Sequence, residues 1–122
     1  SNVKFLNIVP NNKLPKIYKK YNYFILPSII EGTPKSLLEA MACGLITIST
    51  DVEGINEIID NNSNGFLIKN LDSKSILRGI NNAYKKSNIK ISKKANLTIM
   101  KKFSLQLFYK KKKQLFNLLL KI

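Results

Sequence analysis

Short apolar runs alternate with stretches of helical periodicity along the first 71 residues, and this alternation most constrains the fold. An apolar run that ends at turn-forming residues is typical of a buried strand, whereas apolar residues three or four positions apart predict an amphipathic helix. Strands that alternate with helices form βαβ crossovers, and therefore a parallel sheet buried on both faces. The predicted strands cover residues 3–9, 23–26, 45–49 and 66–68, and the predicted helices cover residues 13–20, 33–42 and 54–59.

The remaining residues, 72–122, show helical periodicity alone. Asp72 or Ser73 is expected to cap a first helix, a second helical segment lies near residues 89–100, and Ser104 is expected to cap a last helix from residue 105 to about residue 120. We therefore predict one α/β domain over residues 1–122. A Rossmann-like open parallel sheet of about four strands, with flanking helices, fills residues 1–71, and a helical C-terminal tail follows. Four strands are fewer than a complete nucleotide-binding half normally has, so we expect a partial domain.

The composition excludes several kinds of chemistry. Cys43 is the single cysteine and the chain has no histidine, so an internal disulfide, a zinc site and histidine-based acid–base catalysis are all excluded. No apolar stretch approaches the roughly 18 residues that a membrane-spanning helix needs, and the first residues do not resemble a signal peptide. Carboxylates, hydroxyls, lysines and backbone amides must therefore carry the function.

The net charge of +14 is confined to the C-terminal part of the chain. Residues 1–72 carry seven lysines and seven acidic residues, whereas residues 73–122 carry no acid. Lysine outnumbers arginine twenty to one, a bias typical of AT-rich genomes, while proteins that read nucleic acid favour the arginine fork. We therefore expect no nucleic-acid partner. The alternative that stays open is a non-catalytic basic module that binds nucleic acid or an anionic membrane.

The loop and helix that follow the second predicted strand form a candidate anion site. Thr33 is a suitable N-cap, and Pro34 suits the first helical position, where its missing N–H costs nothing. The free amides of Lys35 and Ser36 and the positive end of the helix dipole favour an anion such as a diphosphate. Gly32 lets the backbone come close to such a ligand.

Two carboxylates flank this anion site. Glu31 precedes the helix, and Glu39 lies eight residues later on a face away from the core, where it could accept hydrogen bonds from a vicinal diol. Two other interpretations stay open from spacing alone: Glu39 pairs with Lys35 on a solvated face, or Glu31 is an ordinary loop acid. The core-facing stripe of the helix is predicted to be Leu38, Met41 and Ala42.

The segment EGTPKSLLEAMACG, residues 31–44, resembles the donor-binding domain of the retaining glycosyltransferases of family 4, which have the GT-B fold. Its hallmark is a pair of glutamates separated by seven residues within a characteristic proline- and glycine-containing segment. The later runs DVEGINEII and NGFLIKNLD also resemble the family's pattern. The residues that match the family's pattern, in the first segment and just before it, are Pro27, Ser28, Glu31, Gly32, Pro34, Leu37, Leu38, Glu39, Ala40, Met41, Ala42 and Gly44.

The resemblance implies a role for each site residue. Glu31, the candidate catalytic residue, would contact the donor sugar, and Glu39 would contact the ribose. The backbone of residues 32–36, with Gly32, Thr33, Pro34, Lys35 and Ser36, would hold the diphosphate of a nucleotide sugar, the co-substrate. No metal and no other cofactor is expected; the resemblance implies front-face attack without a protein general base or a metal. We interpret Asp51 and Glu53, which resemble a DxD metal motif, as a strand-end turn.

The expected protein is thus part of a retaining glycosyltransferase that moves a sugar from a nucleotide-diphosphate sugar to a polysaccharide or glycolipid acceptor. The N-terminal acceptor domain and a basic pair that neutralises the diphosphate are expected before residue 1, so the 122 residues alone should bind donor weakly and transfer nothing. A bacterial, cytoplasmic location is expected, with peripheral contact to the inner face of the membrane through the C-terminal lysines left open. An epimerase of the same fold is disfavoured because it would need histidine.

Overall fold

The computed structural model describes residues 2–119. Its elements follow one another as an alternating part and then a helical part. In chain order they are a 3-10 turn Asn11–Lys13, α1 Leu14–Tyr18, β1 Tyr23–Leu26, α2 Lys35–Ala42, β2 Ile46–Thr50, β3 Phe66–Ile68, α3 Ser73–Lys86, α4 Ile89–Lys102 and α5 Leu105–Leu119.

The three strands form one parallel sheet in the order β1-β2-β3. Tyr23 lies opposite Ile46 in the first pair, and Ile48 lies opposite Phe66 in the second. All five residues of the central strand β2 are buried, as expected for a parallel strand covered on both faces. The β1 strand is only partly buried, contrary to the compact buried strand that its apolar sequence predicts. The Rossmann-like open parallel sheet is therefore confirmed.

The sheet has three strands within residues 2–119, so the predicted count of about four was wrong. The missing member is residues 3–9, which form no strand and are exposed except for a partly buried Val9. Phe5 is 93% exposed and Ile8 is 100% exposed. An apolar run supplies the side-chain pattern of a strand, but a strand also needs a neighbouring backbone to complete its hydrogen-bond ladder. This run pairs with no strand in the described part of the chain.

The segment over residues 54–59 was also predicted incorrectly, because it forms consecutive turns rather than a helix. Gly54 has a φ of +84°, in the left-handed region that interrupts a right-handed helix. The amides of Ile55 and Asn56 both donate to the carbonyl of Val52. In the next turn, the amides of Ile58 and Ile59 both donate to the carbonyl of Ile55. The segment still buries its apolar residues.

Two hydrophobic clusters lie between the sheet and the helices. One joins α2, the turns after β2 and α4, and the other joins β2 and β3 to α3 and the start of α4. The largest fully buried apolar side chains are those of Phe66, Leu37, Met41, Ile48 and Ile55. The first cluster packs directly beneath α2, so it fixes the helix whose N-terminus carries the candidate site.

The C-terminal helices begin close to their predicted positions. Asp72 rather than Ser73 caps α3, accepting the Ser75 amide at 2.9 Å, and the Ser104 hydroxyl accepts the amide of Leu107 at 3.2 Å. Position 120, the predicted end of α5, lies outside the described residues. None of the described helices has the length and apolar character needed to cross a membrane.

Candidate functional site

The loop between β1 and α2 lies at the carboxyl edge of the sheet and is held there by hydroxyl groups from β2. The Ser49 hydroxyl donates to the carbonyl of Leu26 at 2.6 Å, and the Thr50 hydroxyl donates to the carbonyl of Ser28 at 2.5 Å. Both hydroxyl-bearing residues are almost fully buried. The end of β1 and the start of the loop are therefore fixed to the neighbouring strand through backbone atoms.

Glu31 is partly buried and occupies a defined position in this loop. The Ser28 hydroxyl donates to its Oε1 atom at 2.7 Å, a short hydrogen bond to a carboxylate. One oxygen of the carboxylate is thereby held by the protein. This contact argues against the interpretation of Glu31 as an unconstrained loop acid.

The N-terminus of α2 differs in detail from the prediction. The helix begins at Lys35 with Pro34 as its N-cap, and no side chain makes a capping hydrogen bond. Thr33 was therefore predicted incorrectly as the N-cap, and Pro34 as the first helical residue. The φ of −72° and ψ of 106° at Pro34 are extended, so the proline, which can adopt this conformation without strain, makes the turn into the helix.

The backbone amides at this end retain the orientation that an anion needs. The amides of Leu37 and Leu38 both donate to the carbonyl of Pro34, at 3.1 and 3.2 Å. Those of Lys35 and Ser36 precede this first helical turn, and amides in that position point along the helix axis away from the helix. Gly32, Thr33 and the Lys35 side chain are exposed beside them.

Glu39 is exposed on α2, on a face away from the core, as predicted. Its hydrogen-bond partner is the Tyr18 hydroxyl, which donates to Oε2 at 3.3 Å from the end of α1, rather than Lys35 one turn earlier. The Tyr18 ring packs edge-on against Phe24, with ring centroids 5.9 Å apart. Burial, and then the nearby Glu39 carboxylate, raise the pKa of Tyr18 above its ordinary value.

The predicted core stripe of α2 was only partly right. Met41 is fully buried, but Leu38 is partly buried and Ala42 is exposed. Leu37 and Ala40 take their places in the core. The core-facing stripe is therefore rotated relative to the prediction, and Glu39 still faces away from the core.

Helix α4 holds the opposite end of α2. Asn96 Nδ2 donates to the carbonyl of Ala42 at 2.6 Å, and the Ser92 hydroxyl donates to the carbonyl of Gly44 at 2.5 Å. The last carbonyls of a helix have no partner within it, so side chains from a neighbouring helix satisfy them here. The helix that carries the candidate anion site is thus anchored at its C-terminus, while its N-terminus faces the loop.

The structure therefore places all seven predicted site residues, from Glu31 through Ser36 together with Glu39, around the start and one face of α2. Sequence reasoning missed the residues that hold the two carboxylates. Ser28 stood in the matched segment without an assigned role, and Tyr18 was not among the predicted site residues. Serine three residues before a glutamate is a weak signal, and the Tyr18 contact, which spans 21 residues, has no local signal.

Asp51 lies directly after β2, in the strand-end turn that was predicted, and accepts a hydrogen bond from Asn56 at 3.1 Å. Across residues 2–119, no group of three or more histidine, cysteine, aspartate or glutamate side chains is arranged to hold a metal ion.

Structural comparison identifies the same architecture in several solved proteins. Sucrose-phosphate synthase from Thermosynechococcus elongatus superposes with a TM-score of 0.88 at 21% identity, over 96% of this chain and 30% of that one. An Anabaena protein solved in complex with UDP superposes with a TM-score of 0.79 at 19% identity, over 85% of this chain and 29% of that one. These two likenesses show the fold.

A third structure is of a C-terminal domain alone, and the match covers about half of it. The C-terminal domain of a glycosyl transferase group 1 family protein from Francisella tularensis is 25% identical, with a TM-score of 0.71, over 83% of this chain and 53% of that one. The described fold is therefore shared with a C-terminal domain of such a protein.

Sequence comparison gives relatives with named activities. The chain is 38% identical over 69 residues to the UDP-Gal:alpha-D-GlcNAc-diphosphoundecaprenol alpha-1,3-galactosyltransferase of Escherichia coli, covering 57% of this chain and 18% of that protein. It is 31% identical over 77 residues to the N,N'-diacetylbacillosaminyl-diphospho-undecaprenol alpha-1,3-N-acetylgalactosaminyltransferase of Campylobacter jejuni, covering 63% of this chain and 20% of that protein. The chain thus spans about a fifth of the length of these relatives.

A family model settles the relationship, because it matches most of the chain. The model described as "Glycosyl transferases group 1" covers residues 1–101, which include the sheet, α2 and both glutamates. The chain belongs to the group 1 glycosyl transferases.

Proposed function

We propose that this chain is the donor-binding part of a retaining glycosyltransferase, which transfers a sugar from a nucleotide-diphosphate sugar to a polysaccharide or glycolipid acceptor. The observation that carries the proposal is the arrangement around α2. Two carboxylates, each held by a hydroxyl donor, flank a helix N-terminus at the carboxyl edge of a parallel sheet. In open α/β sheets this edge is where ligands bind.

Each residue has a distinct task in this proposal. The amides of Lys35 and Ser36 hold the diphosphate, and the exposed backbone at Gly32 lets the ligand approach. Glu31 accepts hydrogen bonds from the sugar, with one oxygen already held by Ser28. Glu39 accepts from the ribose hydroxyls in place of, or together with, the Tyr18 hydroxyl.

The names of the relatives support the class of substrates. One relative is named for UDP-galactose, and both act by name on sugars linked to undecaprenol through a diphosphate. Because the chain spans about a fifth of their length, we propose that a preceding acceptor domain of the same protein completes the active site. The transfer is proposed to need no metal, and donor affinity should then be unchanged within about twofold by EDTA.

Isothermal titration or NMR titration of two glutamine variants tests the assignment. We expect Glu31→Gln to weaken binding of UDP-glucose or UDP-galactose about tenfold and to leave UDP binding within about twofold, because only the sugar is lost as a partner. Glu39→Gln should weaken both ligands about equally. Glu57→Gln, an exposed glutamate in the turns after β2, is the control. Equal behaviour of all three variants would contradict the proposal.

A second, additional role is favoured by the charge of α5. Four consecutive lysines at positions 110–113 are exposed, and no acidic residue follows position 72. We propose that this surface rests on the anionic inner face of a bacterial membrane, where a cytoplasmic enzyme would meet a lipid-linked acceptor. Vesicles of phosphatidylglycerol should bind the native chain and should release it when the four lysines become glutamine. No binding by the native chain would overturn the membrane role alone.

A further inference from the structure

Gly54 lies beneath the loop that carries Glu31. It is buried in the turns after β2, and its φ of +84° lies in the left-handed region that favours glycine. A Cβ atom built on it would lie 1.7 Å from the carbonyl oxygen of Gly32 and 2.7 Å from that of Glu31. Both are backbone atoms, so no side-chain rotation could relieve the overlap.

The turn that contains Gly54 is fixed in place by the core. Its neighbour Ile55 is fully buried, and Ile58 and Ile59 are 4% and 2% exposed in the cluster that includes Leu37. Since native cores are closely packed, the turn has no space into which to retreat. An added side chain at position 54 would therefore displace the exposed loop at Gly32 rather than the turn.

Thr50 is hydrogen-bonded to the same loop. Its hydroxyl donates to the carbonyl of Ser28 at 2.5 Å, and the Ser28 hydroxyl in turn donates to the Glu31 carboxylate at 2.7 Å. The hydroxyl of Thr50 draws the loop onto the end of β2, and the bare backbone of Gly54 allows it to come that close. The two residues together set where the carboxylate and the Gly32 carbonyl lie.

We propose that Gly54 and Thr50 are positioning residues of the donor site, which hold Glu31 and Gly32 where a nucleotide sugar can bind. This inference rests on the proposed function for the identity of the ligand. Neither residue needs to touch the ligand. Sequence spacing alone does not indicate the role, because both residues follow the site by about twenty positions.

The matched test compares Gly54→Ala with Gly44→Ala. Gly44 has a similar φ of +80°, but a Cβ there would meet only the Ser92 hydroxyl, at 3.3 Å, beyond the other end of α2. Both variants strain the backbone, so both should unfold at lower denaturant concentration. Only Gly54→Ala should shift the NMR signals of Ser28, Glu31 and Gly32 in the ligand-free protein and weaken UDP-glucose binding at least about tenfold.

Thr50→Val gives a second test if Gly54→Ala does not fold. It keeps the shape of the side chain and removes the hydroxyl, so the same three signals should shift and UDP-glucose binding should weaken several-fold. Unchanged signals at Ser28 and Glu31 in a folded variant, or equal losses in Gly54→Ala and Gly44→Ala, would overturn the inference. If the native chain binds no nucleotide sugar, the proposed function fails, while the ligand-free signals still decide whether the loop is positioned as described.

Discussion

At the scale of single residues, hydroxyl groups determine how the two glutamates are presented. Ser28 holds Glu31 within the loop, and Tyr18 reaches Glu39 from a separate helix. The glutamates and their spacing were predictable because they lie in one continuous segment. Their partners were not, because a hydrogen bond across 21 residues depends on how α1 packs against α2, which no local pattern encodes.

Removal of the Ser28 hydroxyl should weaken donor binding without harming the fold. In Ser28→Ala the Glu31 carboxylate loses a hydrogen bond that orients it, so we expect UDP-glucose to bind about tenfold more weakly in a calorimetric titration. Ser87→Ala is a matched control, because that hydroxyl contacts Tyr23 at 2.7 Å at the opposite end of β1. Equal affinity in the two variants would show that Ser28 does not orient the site.

The pKa of Tyr18 reports on its contact with Glu39. Burial is the larger cause of the raised pKa and the carboxylate is the next, so Glu39→Gln should lower the pKa of Tyr18 only part of the way to its ordinary value. Because the pKa is raised in the folded state, the contribution of protonated Tyr18 to the free energy of unfolding is fully present below about pH 10. It is lost as the pH rises through the pKa of the folded state. NMR titration of the Tyr18 ring carbon measures this pKa in the native chain and in Glu39→Gln. An unchanged pKa in Glu39→Gln would show that the two side chains do not interact.

At the scale of elements, periodicity and turn chemistry located β1, β2, β3 and the C-terminal helices closely. It failed where a partner or a backbone conformation decides the outcome. Residues 3–9 have a strand-like pattern but no neighbouring strand in the described residues, and residues 54–59 form turns that start at a left-handed Gly54 rather than a helix. The N-cap of α2 was predicted one residue too early, because Pro34 rather than Thr33 occupies that position.

The cap of α3 gives a prediction with a defined pH dependence. Hydrogen bonds from Ser75, first its hydroxyl and then its amide, hold the pKa of Asp72 below its ordinary value. Because the pKa is lowered in the folded state, the contribution of ionised Asp72 to the free energy of unfolding is present above about pH 4. It is lost as the pH falls through the pKa of the folded state. Asp72→Asn keeps a capping side chain but does not titrate.

The difference in unfolding free energy between the native chain and Asp72→Asn should therefore shrink as the pH is lowered from about 5 to 2. Urea denaturation at several pH values measures it, and the other carboxyl groups, common to both proteins, cancel in the difference. A difference that stays constant over this range would show that the Asp72 charge takes no part in the cap.

At the scale of the whole molecule, the charge divides the chain into a neutral part and a basic part. The alternating part is neutral over residues 1–72 and carries both glutamates, while the helical part carries the whole excess of positive charge. The parallel architecture was predictable because strands alternate with helices, and the same alternation indicates at which edge of the sheet the candidate site lies. The identities of the donor and the acceptor were not predictable, because no residue pattern in this sequence specifies either of them.

Amide chemical shifts during titration test the central claim most directly. The native chain is titrated with UDP-glucose, UDP-galactose and GDP-mannose, and separately with duplex DNA and phosphatidylglycerol vesicles. We expect at least one nucleotide sugar to perturb the amides of residues 31–36 and Glu39 and few other amides. Perturbations by DNA or lipid in residues 85–121, with none at residues 31–39 from any nucleotide sugar, would contradict it.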